Sequence, residues 1–273
     1  MQDRKPGNQT RQPLEACPEI GRNRIQLSDK RNIRLTVAFE GTRYHGWQMQ
    51  RDSPTIQGLI SDAIAKITGE RVNLIGSGRT DAGTHARALV ANFLTQSMIA
   101  PAQLGRALNG VLPGDIRIVS ARKAPLDFHA RRDAISKTYR YQVYLGSILV
   151  PHLAREYFHY PYRLQIAPMQ QAVRLFLGEH DFASFAKTNA SHSSTVRHIF
   201  RCELKKKGLR LFLTVQGNGF LHHMVRNMAG TLIEVGKGSI SLEQFQDLFV
   251  KRDRRLAGFT APAHGLVLLK VQY

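Results

Sequence analysis

Between residues 33 and 67 the apolar residues change their period from two to about 3.6. Ile33, Leu35, Val37 and Phe39 alternate with polar or small residues, the pattern of a strand with one buried face. Ile56, Leu59, Ile60, Ala63, Ile64 and Ile67 then recur at helical spacing. Ser53 followed by Pro54 offers an N-cap and a first-turn proline, and Gly69 closes the helix. A one-sided strand that leads into a one-sided helix can bury both faces only by laying one on the other. The same alternation continues down the chain. Strands are predicted at 71–75, 88–94 and 115–121, with a helix near 101–109. Beyond them Tyr139, Tyr141, Val143 and Tyr144 mark a strand over 138–145, and further strands are predicted near 195–205, 209–216 and 266–272. Helices are expected near 168–178, 221–235 and 241–251. Hairpin-like gaps such as Lys207-Gly208 favour an α+β fold with mainly antiparallel sheets over a doubly wound one. The layout repeats loosely, with residues 31–126 as an N-terminal α+β half and 127–273 as a C-terminal α+β half.

Residues 1–30 lack any period and are broken by Gly7, Pro13, Pro18 and Gly21, so they read as a disordered, basic tail. The chain carries 39 Lys and Arg against 20 Asp and Glu, a net charge of +19. Only six basic and four acidic residues lie in the tail, so +17 belongs to the folded body. This excludes a charged arm on a neutral domain and asks for a polyanionic partner, in first place nucleic acid. No apolar run approaches the roughly 18–20 residues of a membrane span. No secretory pattern opens the sequence, and Cys17 and Cys202 could form at most one bridge, so a cytoplasmic location is expected.

The segment from Gly76 to His85 is the place to look for chemistry. A dinucleotide fingerprint fails there because position 81, where a third glycine belongs, is Asp; no Lys-Ser/Thr pair follows either. What is left is Arg-Thr-Asp-Ala-Gly, with Asp81 in a tight turn two residues after Arg79. Two readings stay open on spacing alone. Asp81 caps its own backbone, or it is a reactive carboxylate held from a rigid loop in basic surroundings. Eleven histidines raise a metal hypothesis, but His222 and His223 are adjacent and would diverge on a helix, and no HExxH or CxxC pattern occurs. No metal site is therefore expected. His85, His129 and His223 read as pocket-lining or structural. The clusters Lys205 to Lys207 and Lys251 to Arg255 read as solvated faces, and Phe39 and Trp47 as core.

The segment GSGRTDAGTHA closely resembles the active-site motif of the tRNA pseudouridine synthase A family. Further blocks resemble that family in order: Tyr44 to Gln48, Leu112 to Ile116, Asp127 to Arg131, Lys137 to Tyr141, Phe182 to Phe185, and Phe220 to Asn227. Together they span roughly residues 31–273. The departures are small: Thr84 stands where valine is common, and His45 where tyrosine or asparagine often sits.

The resemblance implies an isomerase that converts uridine to pseudouridine at positions 38, 39 and 40 of the tRNA anticodon arm, without cofactor. It implies two similar halves, each a sheet with helices on one face, with the active-site cleft between them, and a homodimer as the working unit. Asp81 would be the catalytic nucleophile, and Tyr139 would lie against the uracil of a uridine flipped from its stack. Arg79 would engage the RNA beside that nucleotide. Arg226, expected on the same helix face as His222 four residues earlier, would be the ion-pair partner of Asp81. Read without the motif, Tyr139 is a core aromatic, and the two arginines are solvated surface. A catalytically silent binder of structured RNA is the alternative reading, and a metal-dependent nuclease or hydrolase a further one.

Overall fold

The computed structural model describes residues 2, 30–188 and 194–273, so the expected tail lies outside the described residues except for Gln2 and Lys30. Strand β1 (Arg31–Phe39) turns Ile33, Leu35 and Val37 inward, where none is exposed. Helix α1 (Ile56–Thr68) buries Ile56, Ile60 and Ile64 in the same core. It is capped by Thr55, whose Oγ1 accepts the Gly58 N–H at 3.3 Å, and not by Ser53 as the sequence suggests. The reason is tertiary. The N–H groups of Ile56 and Gln57 donate to the carbonyls of Gly46 and Trp47 at 3.1 and 3.0 Å, satisfying first-turn donors from outside the helix.

Strand β2 (Ile75–Gly76) is shorter than the strand expected over 71–75. Then come β3 (His85–Thr95), α2 (Pro101–Val111) and β4 (Ile116–Ala124). The chain continues through β5 (Ser136–Tyr144), β6 (Phe158–His159), α3 (Ile166–Arg174), β7 (Gly178–Asp181), β8 (Val196–Lys207) and β9 (Arg210–Gly217). It finishes with α4 (Met224–Lys237), α5 (Leu242–Lys251) and β10 (Leu266–Gln272). The two-residue β6 and the four-residue β7 are too short to leave a periodic trace in the sequence.

The ten strands of the described residues form one sheet in the order β4-β1-β3-β10-β5-β9-β8-β7, with β2 beside β3 and β6 beside β5. The pairs β4-β1-β3 and β10-β5-β9-β8-β7 are antiparallel. They meet where β10 runs parallel to β3, through the pairs Val267–His85 and Leu268–Ala86. Two half-sheets, one from each half of the chain, are thereby fused along a short seam. Tyr139, Tyr141 and Val143 form the buried face of β5, and Phe39 and Trp47 are buried as expected. Phe176, Phe182, Phe185 and Phe245 are wholly buried, and the Phe176 ring meets those of Phe185 and Phe245 edge-on at 5.2 and 5.1 Å.

One close contact positions the functional end of α4. A Cβ at Gly230 would fall 1.8 Å from the carbonyl oxygen of Phe259, so the helix can lie against the 258–261 segment only without a side chain there. Arg254 ties the same parts together: it donates to the Gly258 carbonyl at 2.7 Å, to Asn227 Oδ1 at 3.0 Å and to Thr260 Oγ1 at 3.1 Å. Arg254 is thus a partly buried clasp, not the solvated cation that its basic run suggests. Gly230→Ala is expected to lower stability by about 1–3 kcal/mol, as overpacking does. A urea midpoint equal to that of the parent protein would refute this close approach.

Candidate active site

Asp81 sits in the loop between β2 and β3, held by backbone contacts. Thr84 N–H donates to the Asp81 carbonyl at 3.1 Å, and Gly83 N–H to the Tyr44 carbonyl at 3.2 Å. Trp47 N–H donates to the Thr80 carbonyl at 3.3 Å. Gly46 has a φ of 84°, and a Cβ there would stand 2.3 Å from the Thr80 carbonyl oxygen, so the 41–47 turn presses directly on the Asp81 loop. The turn hydrogen bond is made by the Asp81 carbonyl, which leaves the carboxylate for other partners. That decides against the backbone-capping reading.

Those partners come from the start of α4. Arg226 Nη1 donates to Asp81 Oδ2 at 2.7 Å, with both side chains largely buried, while Arg226 Nε donates to the Ala261 carbonyl at 2.8 Å. His222 Nε2 stands 3.2 Å from Oδ1, and His223 Nε2 stands 3.6 Å from Oδ2. The sequence reading has the two histidines diverging on a helix. In fact the helix begins only at Met224, and His223 is its cap with a left-handed φ of 64°. Both rings therefore turn toward Asp81, their centroids 4.3 Å apart. His222 shares the site with Arg226 by this turn and not by a common helix face.

Tyr139 is buried on β5, its ring meeting Phe220 edge-on at 5.1 Å. Burial, reinforced by the Asp81 charge, raises the pKa of its phenol, so the hydroxyl stays protonated. The structure thus brings together Asp81, Tyr139 and Arg226. Arg79 is exposed and makes no hydrogen bond or ion pair among the described residues. Sequence reasoning missed His222 and the Ala261 carbonyl. A histidine pair directly before the motif arginine was the available signal. His85 proves structural: Nδ1 accepts the Gly41 N–H at 2.9 Å, and Nε2 donates to the carbonyls of Arg155 and His264 at 2.7 and 3.0 Å.

Burial pulls the His223 pKa down to about 4 against the opposing pull of Asp81, with the Arg226, His222 and Lys187 charges assisting. His223 is therefore neutral at pH 7, and Arg226 is the fixed cation on Oδ2. One oxygen of Asp81 and one ring nitrogen of each histidine lie within 4.8 Å of one another, a spacing at which a metal ion could be held. The Arg226 guanidinium already occupies the Oδ2 side of that space.

A single carboxylate in a cationic setting, at the seam of a two-half α+β sheet, defines an enzyme that works on a polyanionic substrate. The sequence matches the family described as tRNA pseudouridine synthase over residues 35–133 and 172–273. A tRNA pseudouridine synthase A from Caldicellulosiruptor saccharolyticus is 44% identical over 243 residues, covering 89% of this chain and all of its own length. The protein of that name from Citrifermentans bemidjiense is 43% identical over 244 residues, covering 89% of this chain and 98% of its own. Among solved structures, a chain of a Cbf5-Nop10-Gar1 complex aligns with 86% of this chain and 57% of its own, at a TM-score of 0.34 and 11% identity. This chain belongs to the tRNA pseudouridine synthase family.

The depressed pKa of His223 has a consequence for stability. A histidine that stays neutral when folded but takes up a proton when unfolded makes stability fall with pH from about 6.5 toward 4. Urea midpoints of the parent protein are expected to drop between pH 7 and pH 5, and His223→Gln to drop less. Parallel pH profiles would show that His223 is not held neutral.

Proposed function

We propose that this protein isomerises uridine to pseudouridine at positions 38, 39 and 40 in the anticodon arm of tRNA, with Asp81 as its nucleophile. The observation that carries the reading is the Asp81 carboxylate, clamped at 2.7 Å by Arg226 beside the buried ring of Tyr139. The reaction breaks the bond from N1 of the base to C1′, turns the base, and joins C5 to C1′. The proton leaving C5 is balanced by one gained at N1, so no redox partner is required. A carboxylate can act by attacking C1′, by attacking the base, or by taking a proton from the ribose, and the fixed orientation of Asp81 suits it to meet a developing electrophilic centre. Tyr139 offers a face to the flipped uracil, and Arg226 positions Asp81. Arg79, which is exposed, would engage the RNA beside the flipped nucleotide.

The reading takes a homodimer as the working unit and a cytoplasmic setting. No helix among the described residues is long and apolar enough to cross a membrane. It also takes the Asp81, His222 and His223 cluster to work without a metal ion.

Two measurements test this. Asp81→Asn is expected to retain tRNA binding while pseudouridine formation falls by about a thousand-fold or more. Retained product would remove Asp81 from the chemistry, and a parent protein that binds tRNA without forming product would establish the silent RNA binder. Turnover is expected to survive EDTA at fixed ionic strength with tRNA folding controlled. Loss restored by zinc would point to a metal at Asp81, His222 and His223.

A further inference from the structure

Lys137 is the most unusual cation in the fold. It lies on β5 two residues before Tyr139 and so on the same face of the sheet. Its Nζ stands 3.1 Å from where a Cβ of Gly78 would be, against the loop that carries Asp81. It is partly buried, yet it has no hydrogen bond or ion pair among the described residues. The charges that bear on it are those of Arg131 and Arg197.

Arg197 shares its situation. Through the cross-strand pairs Lys137–Gly217 and Gly217–Ile199, the β8 residues Ile199 and Arg197 face the same side as Lys137. Between them, the space over Gly217 is filled by Ile199, whose Cδ1 lies 2.8 Å from where a Cβ of the glycine would be. Arg197 Nε lies 3.5 Å from a Cβ built at Gly219, in the segment that leads to His222. Its Nη1 donates to the carbonyls of Ser194 and Val196 at 2.9 and 2.6 Å, which fixes the guanidinium without neutralising it. Lys137 therefore abuts the loop of Asp81, and Arg197 abuts the segment before the histidines. Gathering like charges in a partly buried place is unfavourable unless an anion completes it. Burial, then Arg131 and Arg197, pull the Lys137 amine down to about 8, as expected of a cationic site whose counter-anion comes from outside.

We propose that Lys137 and Arg197 form an anion subsite for the phosphodiester beside the nucleotide delivered to Asp81. The subsite rests on the reading of tRNA as substrate and deepens it, since it fixes the backbone from which the target base is turned out. Phosphate contacts of this kind set register without reading sequence. The planar guanidinium suits two phosphate oxygens and the ammonium one.

The test is tRNA binding as a function of salt, with Lys137→Gln, Arg197→Gln and Lys137→Arg beside the parent protein. Each lost phosphate contact is expected to reduce the slope of log affinity against log salt by about 0.7–0.9, and Lys137→Arg to keep the parental slope. Parental slopes in both glutamine variants overturn the subsite. Arg197→Gln decides the matter alone if Lys137→Gln does not fold. Inorganic phosphate added to the tRNA titration separates the two sources of anion. Weaker competition by phosphate in the variants, with unchanged tRNA slopes, would identify a free-phosphate site and overturn the proposal. Pseudouridine formation by the parent protein is read in parallel. Its absence with reduced slopes in the variants counts against the proposed reaction but leaves the phosphate subsite standing. Its presence with unchanged slopes counts against the subsite alone.

Discussion

The site depends on one guanidinium that has two obligations. Arg226 reaches Asp81 with Nη1 and the Ala261 carbonyl with Nε, so a loop of the first half and the approach to β10 are fixed to the same helix turn. Both members of the ion pair are largely withdrawn from water. Removing one partner from such a pair costs about 3–5 kcal/mol, because the other is left buried and unpaired. The close contact at Gly230 and the clasp of Arg254 support the same helix from behind. Their importance lies in where they hold Arg226.

The seating also sorts the charges around Asp81. A neutral His223 contributes polarity without a full charge, and burial dominates its state although a carboxylate stands 3.6 Å away. The positive charge against Oδ2 is therefore the guanidinium of Arg226, 2.7 Å away. Surface cations such as Lys206 and Lys207 differ from this group in kind, since they are exposed to water.

Much of the fold was legible in apolar periods. Strand β1, helices α1 and α2, the β8–β9 hairpin and β10 lie within a few residues of where spacing puts them, because each hides one face. Features set by contacts distant in sequence were not legible. Helix α1 starts at Ile56 and not at Pro54 because carbonyls of the 46–47 turn receive its first donors. Helix α4 starts at Met224 because His223 takes a left-handed conformation, which histidine tolerates better than most residues but adopts too rarely for the sequence to announce it. That single turn converts two histidines from divergent to convergent. At the site itself, the Asp81 motif and Arg226 were recognisable through family resemblance. Their distance was not, being a contact across 145 residues of chain. Arg254 shows the opposite error: composition makes it surface, while four acceptors hold it partly buried.

The seam of the sheet has a consequence in time as well as in space. Strand β10 lies between β3 and β5, yet it follows every other strand along the chain. During synthesis the first half-sheet can form β4-β1-β3, and the second can form β5-β9-β8-β7, well before anything joins them. Only the arrival of β10 closes the sheet, brings the 261 carbonyl to Arg226 and fixes the site. Such a closure spans most of the chain and belongs to the slow, non-local class of folding steps. A nascent chain held just short of β10 would carry all the motif residues from Asp81 to Arg226 without the strand that joins the two half-sheets. Assembly of the catalytic geometry is thereby deferred until nearly all of the described chain has been made.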